Sequence, residues 1–180
     1  MLVCVTPPLP AGRDPGGPYR VCLVCAGNIC RSPMAEVVLR AFFAEAGLAG
    51  SVTLDSAGTG SWHVDERMNS GARQALARRG YDGSSHRARQ FEATWLANRD
   101  IVLAMDLHNL ADLRRMAGSG HASGLRVRLF GEVGGLGERA AIPDPYGGPS
   151  EDFDHVLDLL ETAAPVLVSQ LGQALPPRPA

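Results

Sequence analysis

The chain has 180 residues, 45% hydrophobic and 20% charged, which is one domain of ordinary size with enough apolar mass for a proper core. Its net charge of −2 argues against a nucleic-acid partner held through phosphates, and no apolar run approaches the length that crosses a bilayer. All four cysteines (Cys4, Cys22, Cys25 and Cys30) fall within the first thirty residues, whereas a secreted disulfide framework would spread them, so a reducing cytoplasm is expected.

Residues 1–18 are rich in Pro and Gly and lack periodicity, which predicts a disordered extension; Leu2 to Val5 is too short for a signal peptide, and Pro7, Pro8 and Pro10 break it. Residues 19–25 are apolar and β-branched, the pattern of a buried strand. A short loop follows, and Ser32-Pro33 reads as N-cap and first helical residue of a helix with Met34, Val38, Ala41 and Phe42 on its apolar face, stopping at Gly47. Val52 to Asp55 predicts a second strand, Asn69 to Gly80 a helix, and Asp100 to Met105 a third strand. A helix from Asp106 carries Leu110, Leu113 and Ala117 on one face, and Val127 to Phe130 is the fourth strand. The last helix spans about Ser150 to Ala174, and Pro165 inside it should kink it. Residues 175–180 read as a loose tail. Alternating strands and helices predict a single α/β domain over residues 19–174: a four-stranded parallel sheet flanked by helices, with a phosphate-binding loop after the first strand.

That loop, Cys25-Ala26-Gly27-Asn28-Ile29-Cys30-Arg31-Ser32, carries the chemistry. Strand, tight loop and helix direct backbone N–H groups and a helix's positive end at one point, which is an anion site. Arg31 offers a rigid fork for two phosphate oxygens, and Asn28 suits the left-handed backbone such a cradle requires. Cys25 shares the positive field, which should lower its pKa, and a thiolate beneath a bound phosphate is a nucleophile aimed at phosphorus.

At this point the chain resembles the low-molecular-weight protein tyrosine phosphatases. The likeness covers roughly residues 19 to 174 and rests on five ordered blocks. They are Cys25 to Pro33, Asp55 to His63, Ser85 to Gln90, Asp100 to Asp106, and Pro143-Asp144-Pro145-Tyr146. The resemblance implies a cofactor-free, metal-free phosphatase acting on phosphotyrosine in proteins through a phosphocysteine intermediate. It implies that Cys25 is the nucleophile, that Arg31 binds the phosphate and that Asp144 is the general acid, held near an apolar wall that raises its pKa. Trp62 and Tyr146 would form opposite walls of the pocket, and Ser32, Ser56 and His86 would order the loop through Asn28. His63 is either a substrate contact or a solvated side chain. Cys30 either packs or, as the resemblance implies, captures an oxidised Cys25.

Two departures stand out. A glycine, Gly147, follows Tyr146 where the family often has a second aromatic. After Trp62 the family's Pro-Asp-x-Arg is replaced by a stretch in which Gly71 stands for the Arg, which puts substrate preference in question. Thioredoxin-coupled arsenate reductases share fold and loop but need cysteines downstream, and none follows Cys30. Arginine-phosphate phosphatases of this fold carry a smaller polar residue where Ile29 stands. A catalytically dead phosphate-binding protein is the rival from another class, set against the presence of Cys25, Arg31 and Asp144 together. The acidic run from Asp144 to Glu161 reads as a solvated helix face.

Overall fold

Four strands, β1 (Tyr19–Cys25), β2 (Val52–Gly58), β3 (Ile101–Ala104) and β4 (Val127–Leu129), pair in parallel in the order β2-β1-β3-β4. The computed structural model describes residues 8–118, 126–137 and 140–175, so Cys4, His121 and most of the expected C-terminal tail lie outside the described residues. Among the described residues the helices are α1 (Arg31–Glu45), α2 (Ser70–Arg78), α3 (Leu107–Ala117), α4 (Phe130–Val133) and α5 (Ser150–Ala174), and a 3-10 turn spans Ala93–Ala97. Helices cover both faces of the sheet, which is why β1 reads as a continuous apolar run instead of alternating. On one face Val21 and Leu23 pack with Met34, Val38, Leu39 and Phe43 of α1 and with Leu160, Ala164 and Leu167 of α5. On the other, Cys22, Val24, Val102 and Ala104 pack with Leu110 and Leu113 of α3 and with Phe91.

The strand order places a crevice beside Cys25. From β1 the chain crosses to β2 on one side and then returns to β3 on the other, so the topology switches direction at β1. Crevices form at such points beyond the strands' carboxyl ends, and Cys25 is the last residue of β1.

Several local expectations need correction. Helix α1 begins at Arg31 with Cys30 at the cap position, and Ser32 is not a cap: its hydroxyl is taken by Asn28, Ala57 and Cys25. Pro33 therefore sits in the first turn, where a missing N–H still costs nothing. The fully buried face of α1 adds Leu39 and Phe43, while Phe42 is partly buried against the core. Phe130 opens α4 instead of ending β4. Helix α5 spans Ser150–Ala174, the expected range, with Pro165 inside it. Its acidic face is not simply solvated: Asp154 pairs with Arg78 at 2.6 Å, while Asp158 and Glu161 both hold Arg79, tying α5 to α2.

Residues of the expected loose extension lie against the sheet. The Arg13 amide donates to Asp100 at 2.6 Å, Tyr19 donates to the Pro10 carbonyl at 2.8 Å, and Arg126 donates to the Ala11 carbonyl at 3.1 Å. Leu9 and Leu175 pack on the core.

Candidate active site

The loop between β1 and α1 is shaped from outside by its carbonyls. Cys25 O accepts from Thr59 N and Ala26 O from Gly60 N, both at 2.9 Å. Asn28 O accepts from His86 Nε2 at 2.7 Å, and Ile29 O from Asn69 N at 2.8 Å. In a planar trans peptide the N–H of the next residue points opposite to the carbonyl. Tying these four carbonyls outward therefore turns the amides of Ala26, Gly27, Ile29 and Cys30 toward the loop's interior. Convergent amides of this kind form an anion cradle. Gly58 is needed for the close approach, since a Cβ there would lie 2.5 Å from Ala26 O.

Asn28 is the pin. It sits at φ 56°, in the left-handed region, and is fully buried. Its side-chain amide spends both protons, on Ser32 Oγ and Ser56 Oγ, each at 2.9 Å, and its Oδ1 accepts from Arg89 N at 2.8 Å. Burial lowers the pKa of His86, so it meets Asn28 O as a neutral ring donating from Nε2. Ser32, Ser56 and His86 thus converge on Asn28, as expected. Around the thiol, Asn28 N donates to Cys25 Sγ at 3.3 Å, and Ser32 Oγ lies 3.0 Å from the sulfur. The single Ser32 proton can serve either that sulfur or Ala57 O at 3.2 Å, so a thiolate at Cys25 would draw it to sulfur.

Arg31 is buried and held by two carboxylates. Its Nη1 donates to Asp106 at 2.5 Å and to the Ile142 carbonyl at 3.3 Å, and its Nη2 donates to Asp144 at 2.7 Å. Its Nε is buried without a protein partner, an orphan donor beside the cradle. Asp106 also caps α3 by accepting from Asn109 N at 2.8 Å. Sequence reasoning read Asp106 as a helix start and as the end of one resemblance block and gave it no role in the site; its place at the carboxyl end of β3 was the available signal. Asp144 shares the lining of a cavity with Ile29, Trp62 and Tyr146. It is about half exposed, with Oδ2 on Arg31 and Oδ1 accepting from Tyr146 N at 3.2 Å. The loop that carries it is anchored where Ile142 N donates to Met105 O at 2.7 Å, just past β3.

A cavity of about 130 Å³ is lined by Cys25, Ala26, Gly27, Ile29, Cys30, Arg31, Trp62, His63, Asp144 and Tyr146. Every catalytic and pocket residue expected from sequence lines it. Trp62 is 72% exposed and Tyr146 60%, so both are rim residues and neither belongs to the core. The Trp62 ring lies over Gly60, where any Cβ would overlap it at 1.9 Å. Gly147 has φ 79°, a left-handed turn that a second aromatic would occupy only with strain. Cys30 is buried, and burial, then Cys25, then Asp144, push its pKa up to about 12 against the pull of Arg31. A larger cleft of about 570 Å³ shares no lining residue with this one and has no cysteine in its lining. Of its charged residues, Glu36 pairs with Arg40, and Asp55 pairs with Arg89 and with Arg99, which lies outside the lining.

Comparison with known proteins agrees in place and kind. A family model described as low molecular weight phosphotyrosine protein phosphatase matches residues 20–176. A low molecular weight protein-tyrosine-phosphatase of Streptomyces coelicolor is 42% identical over 164 residues, covering 90% of this chain and 99% of that protein. The Bacillus subtilis protein YfkJ, of the same description, is 38% identical over 151 residues, covering 84% of this chain and 94% of its own. The crystal structure of YfkJ superposes with a TM-score of 0.81 at 34% identity, over 89% of this chain and 98% of that one. A protein tyrosine phosphatase from Entamoeba histolytica, crystallised with Hepes in its active site, gives 0.80 at 30% identity, over 86% and 97%.

Proposed function

Since the chain belongs to the low molecular weight phosphotyrosine protein phosphatase family, we propose that Cys25, Arg31 and Asp144 are the residues with which it hydrolyses phosphotyrosine. The observation that carries the assignment is their convergence on one small cavity whose floor is a cradle of inward amides. The phosphate dianion binds the amides of the loop, takes the orphan Nε of Arg31, and displaces Asp144 from Nη2. Asp106 keeps its hold on Nη1, so the guanidinium stays in place while its other edge changes partner.

Cys25 attacks as the thiolate, in line with the ester oxygen. The S–P bond forms as the P–O bond breaks, and Asp144 gives its proton to the departing phenolate. Asp144, now a carboxylate, takes a proton from water as that water attacks phosphorus, and the Cys25 thiolate leaves. The amides and Arg31 stabilise the equatorial oxygens throughout, so the protein's contribution is mainly positioning and electrostatics. Trp62 and Tyr146 flank the substrate ring at the rim. Residues 19–174 form the catalytic domain. No helix among the described residues is long and apolar enough to cross a membrane, and Cys22, Cys25 and Cys30 are free thiols. We infer a reducing cytoplasm as the place of action.

The test is turnover of phosphotyrosine peptides and para-nitrophenyl phosphate, with phosphoserine and phosphoarginine peptides alongside. Preference for the aryl esters is expected. Hydrolysis of phosphoarginine in preference to phosphotyrosine would overturn the substrate assignment.

Cys30 enters only after damage. Its raised pKa keeps it a thiol at neutral pH, while the Cys25 thiolate is the sulfur that peroxide oxidises to sulfenic acid. The Cys30 thiol then attacks that sulfur, forming the disulfide and releasing water. Cys30→Ser is expected to keep its activity but to recover less with dithiothreitol after peroxide. Mass spectrometry finding Cys25 unlinked to Cys30 would leave Cys30 a packing residue.

A further inference from the structure

One wall of the cavity is held in place by a residue that the sequence did not single out. His63 Nδ1 lies 2.9 Å from Glu66 Oε2, and the opposite edge of the ring is packed on the phosphate loop: a Cβ on Gly27 would stand 2.8 Å from His63 Cδ2 and 3.6 Å from Nε2. The His63 and Tyr146 rings stand in tilted contact, at 49° with centroids 6.1 Å apart. The His63 ring is therefore fixed from two sides and, with Tyr146, makes one continuous wall of the cavity.

The turn that delivers Glu66 is a built feature. Glu66 N donates to His63 O at 2.9 Å, closing a tight turn through Asp65, which sits at φ 67°. A non-glycine residue there is uncommon and persists where neighbouring structure over-determines it. Here Asp65 N donates to Ala88 O and Ala88 N donates to Glu66 O, each at 2.9 Å, locking the turn to the segment that follows His86.

We propose that Glu66 is a positioning residue that acts through His63, fixing the wall that His63 makes with Tyr146 so that a flat aryl group can pack against it beneath the rim. This rests on the phosphatase reading of the cavity and names what selects aryl phosphate within it. Without the carboxylate, the imidazole is free to rotate about its side-chain torsions, and a ligand must order it on binding. Phosphate itself, held by the loop and Arg31, does not use this wall. The expected signature is thus a loss of affinity for aryl ligands alone. Ordering one such side chain corresponds to about a two- to tenfold change in Kd.

The experiment is calorimetric titration with phenylphosphonate and with inorganic phosphate, alongside kcat and KM on para-nitrophenyl phosphate. Glu66→Ala is expected to weaken phenylphosphonate by about two- to tenfold, to leave phosphate unchanged, and to raise KM with kcat nearly constant. Glu66→Gln keeps an acceptor for the Nδ1 proton and is expected to restore the wild-type values. His63→Ala should weaken the aryl ligand similarly, and the double variant should be no worse than His63→Ala alone. Equal losses for both ligands, no rescue by glutamine, or additive losses in the double variant would each overturn the proposal. Binding constants report on Glu66 whether or not the protein turns over substrate, so failure of the phosphatase reading would show separately as absent catalysis in the wild type.

Discussion

Cys25→Ser is expected to reduce turnover of aryl phosphates to the limit of detection while leaving inorganic phosphate binding largely intact. A serine hydroxyl is not ionised at neutral pH, and no second base lies against the sulfur to activate it: its close neighbours are Asn28 N and Ser32 Oγ. The cradle, by contrast, does not depend on the sulfur. Its carbonyls are tied by Thr59, Gly60, His86 and Asn69, and Asn28 is pinned by Ser32, Ser56 and Arg89. Arg31 is held by Asp106. Phosphate affinity measured by calorimetry and kcat measured on para-nitrophenyl phosphate should therefore separate completely. Substantial residual turnover would remove Cys25 from the role of nucleophile. Loss of phosphate binding along with activity would mean that the sulfur also shapes the loop.

What the sequence made legible was local. The run from β1 through the loop into α1 is contiguous, and strand pattern, glycine, left-handed asparagine and helix start reinforce one another over about a dozen residues. The same holds for Asn69 as the cap of α2, where its side chain accepts from Gly71 N. What remained hidden depends on partners distant in the chain. Asp106 meets Arg31 across 75 positions and Asp144 meets it across 113, and no periodicity reports such pairings. Asp144 was expected beside an apolar wall because the general acid's task calls for one; its ion pair with Arg31 is the part that stayed hidden. Ser32 reads locally as a cap, yet three partners from β1, the loop and β2 compete for its hydroxyl and win. The acidic face of α5 looked solvated because Arg78 and Arg79 lie on another helix. Glu66 lies in the stretch that departs from the family's pattern, so resemblance gave no guide to it. The turn at Ala93–Ala97 and helix α4 are too short for a helical period to register.

Asp144→Asn is expected to lower kcat by about 10²–10⁴-fold on aryl phosphates with poor leaving groups, the usual worth of a positioned general acid. The substitution keeps size and leaves an amide that can still accept from Tyr146 N, so the loop anchored by Ile142 should hold its place. What is lost is the proton. A phenolate of high pKa leaves slowly without it, whereas a nitrophenolate leaves readily, so formation of the phosphocysteine should suffer much less with the better leaving group. The second step also loses its base, because an amide cannot take a proton from the attacking water. Rapid mixing should then reveal a burst of nitrophenolate followed by slow turnover as the phosphocysteine accumulates. Removing the carboxylate also removes the competitor for Arg31 Nη2, so phosphate should bind at least as tightly as in the wild type. A small decrease, equal for good and poor leaving groups, would place the acid elsewhere and leave Asp144 as no more than a partner that Arg31 holds.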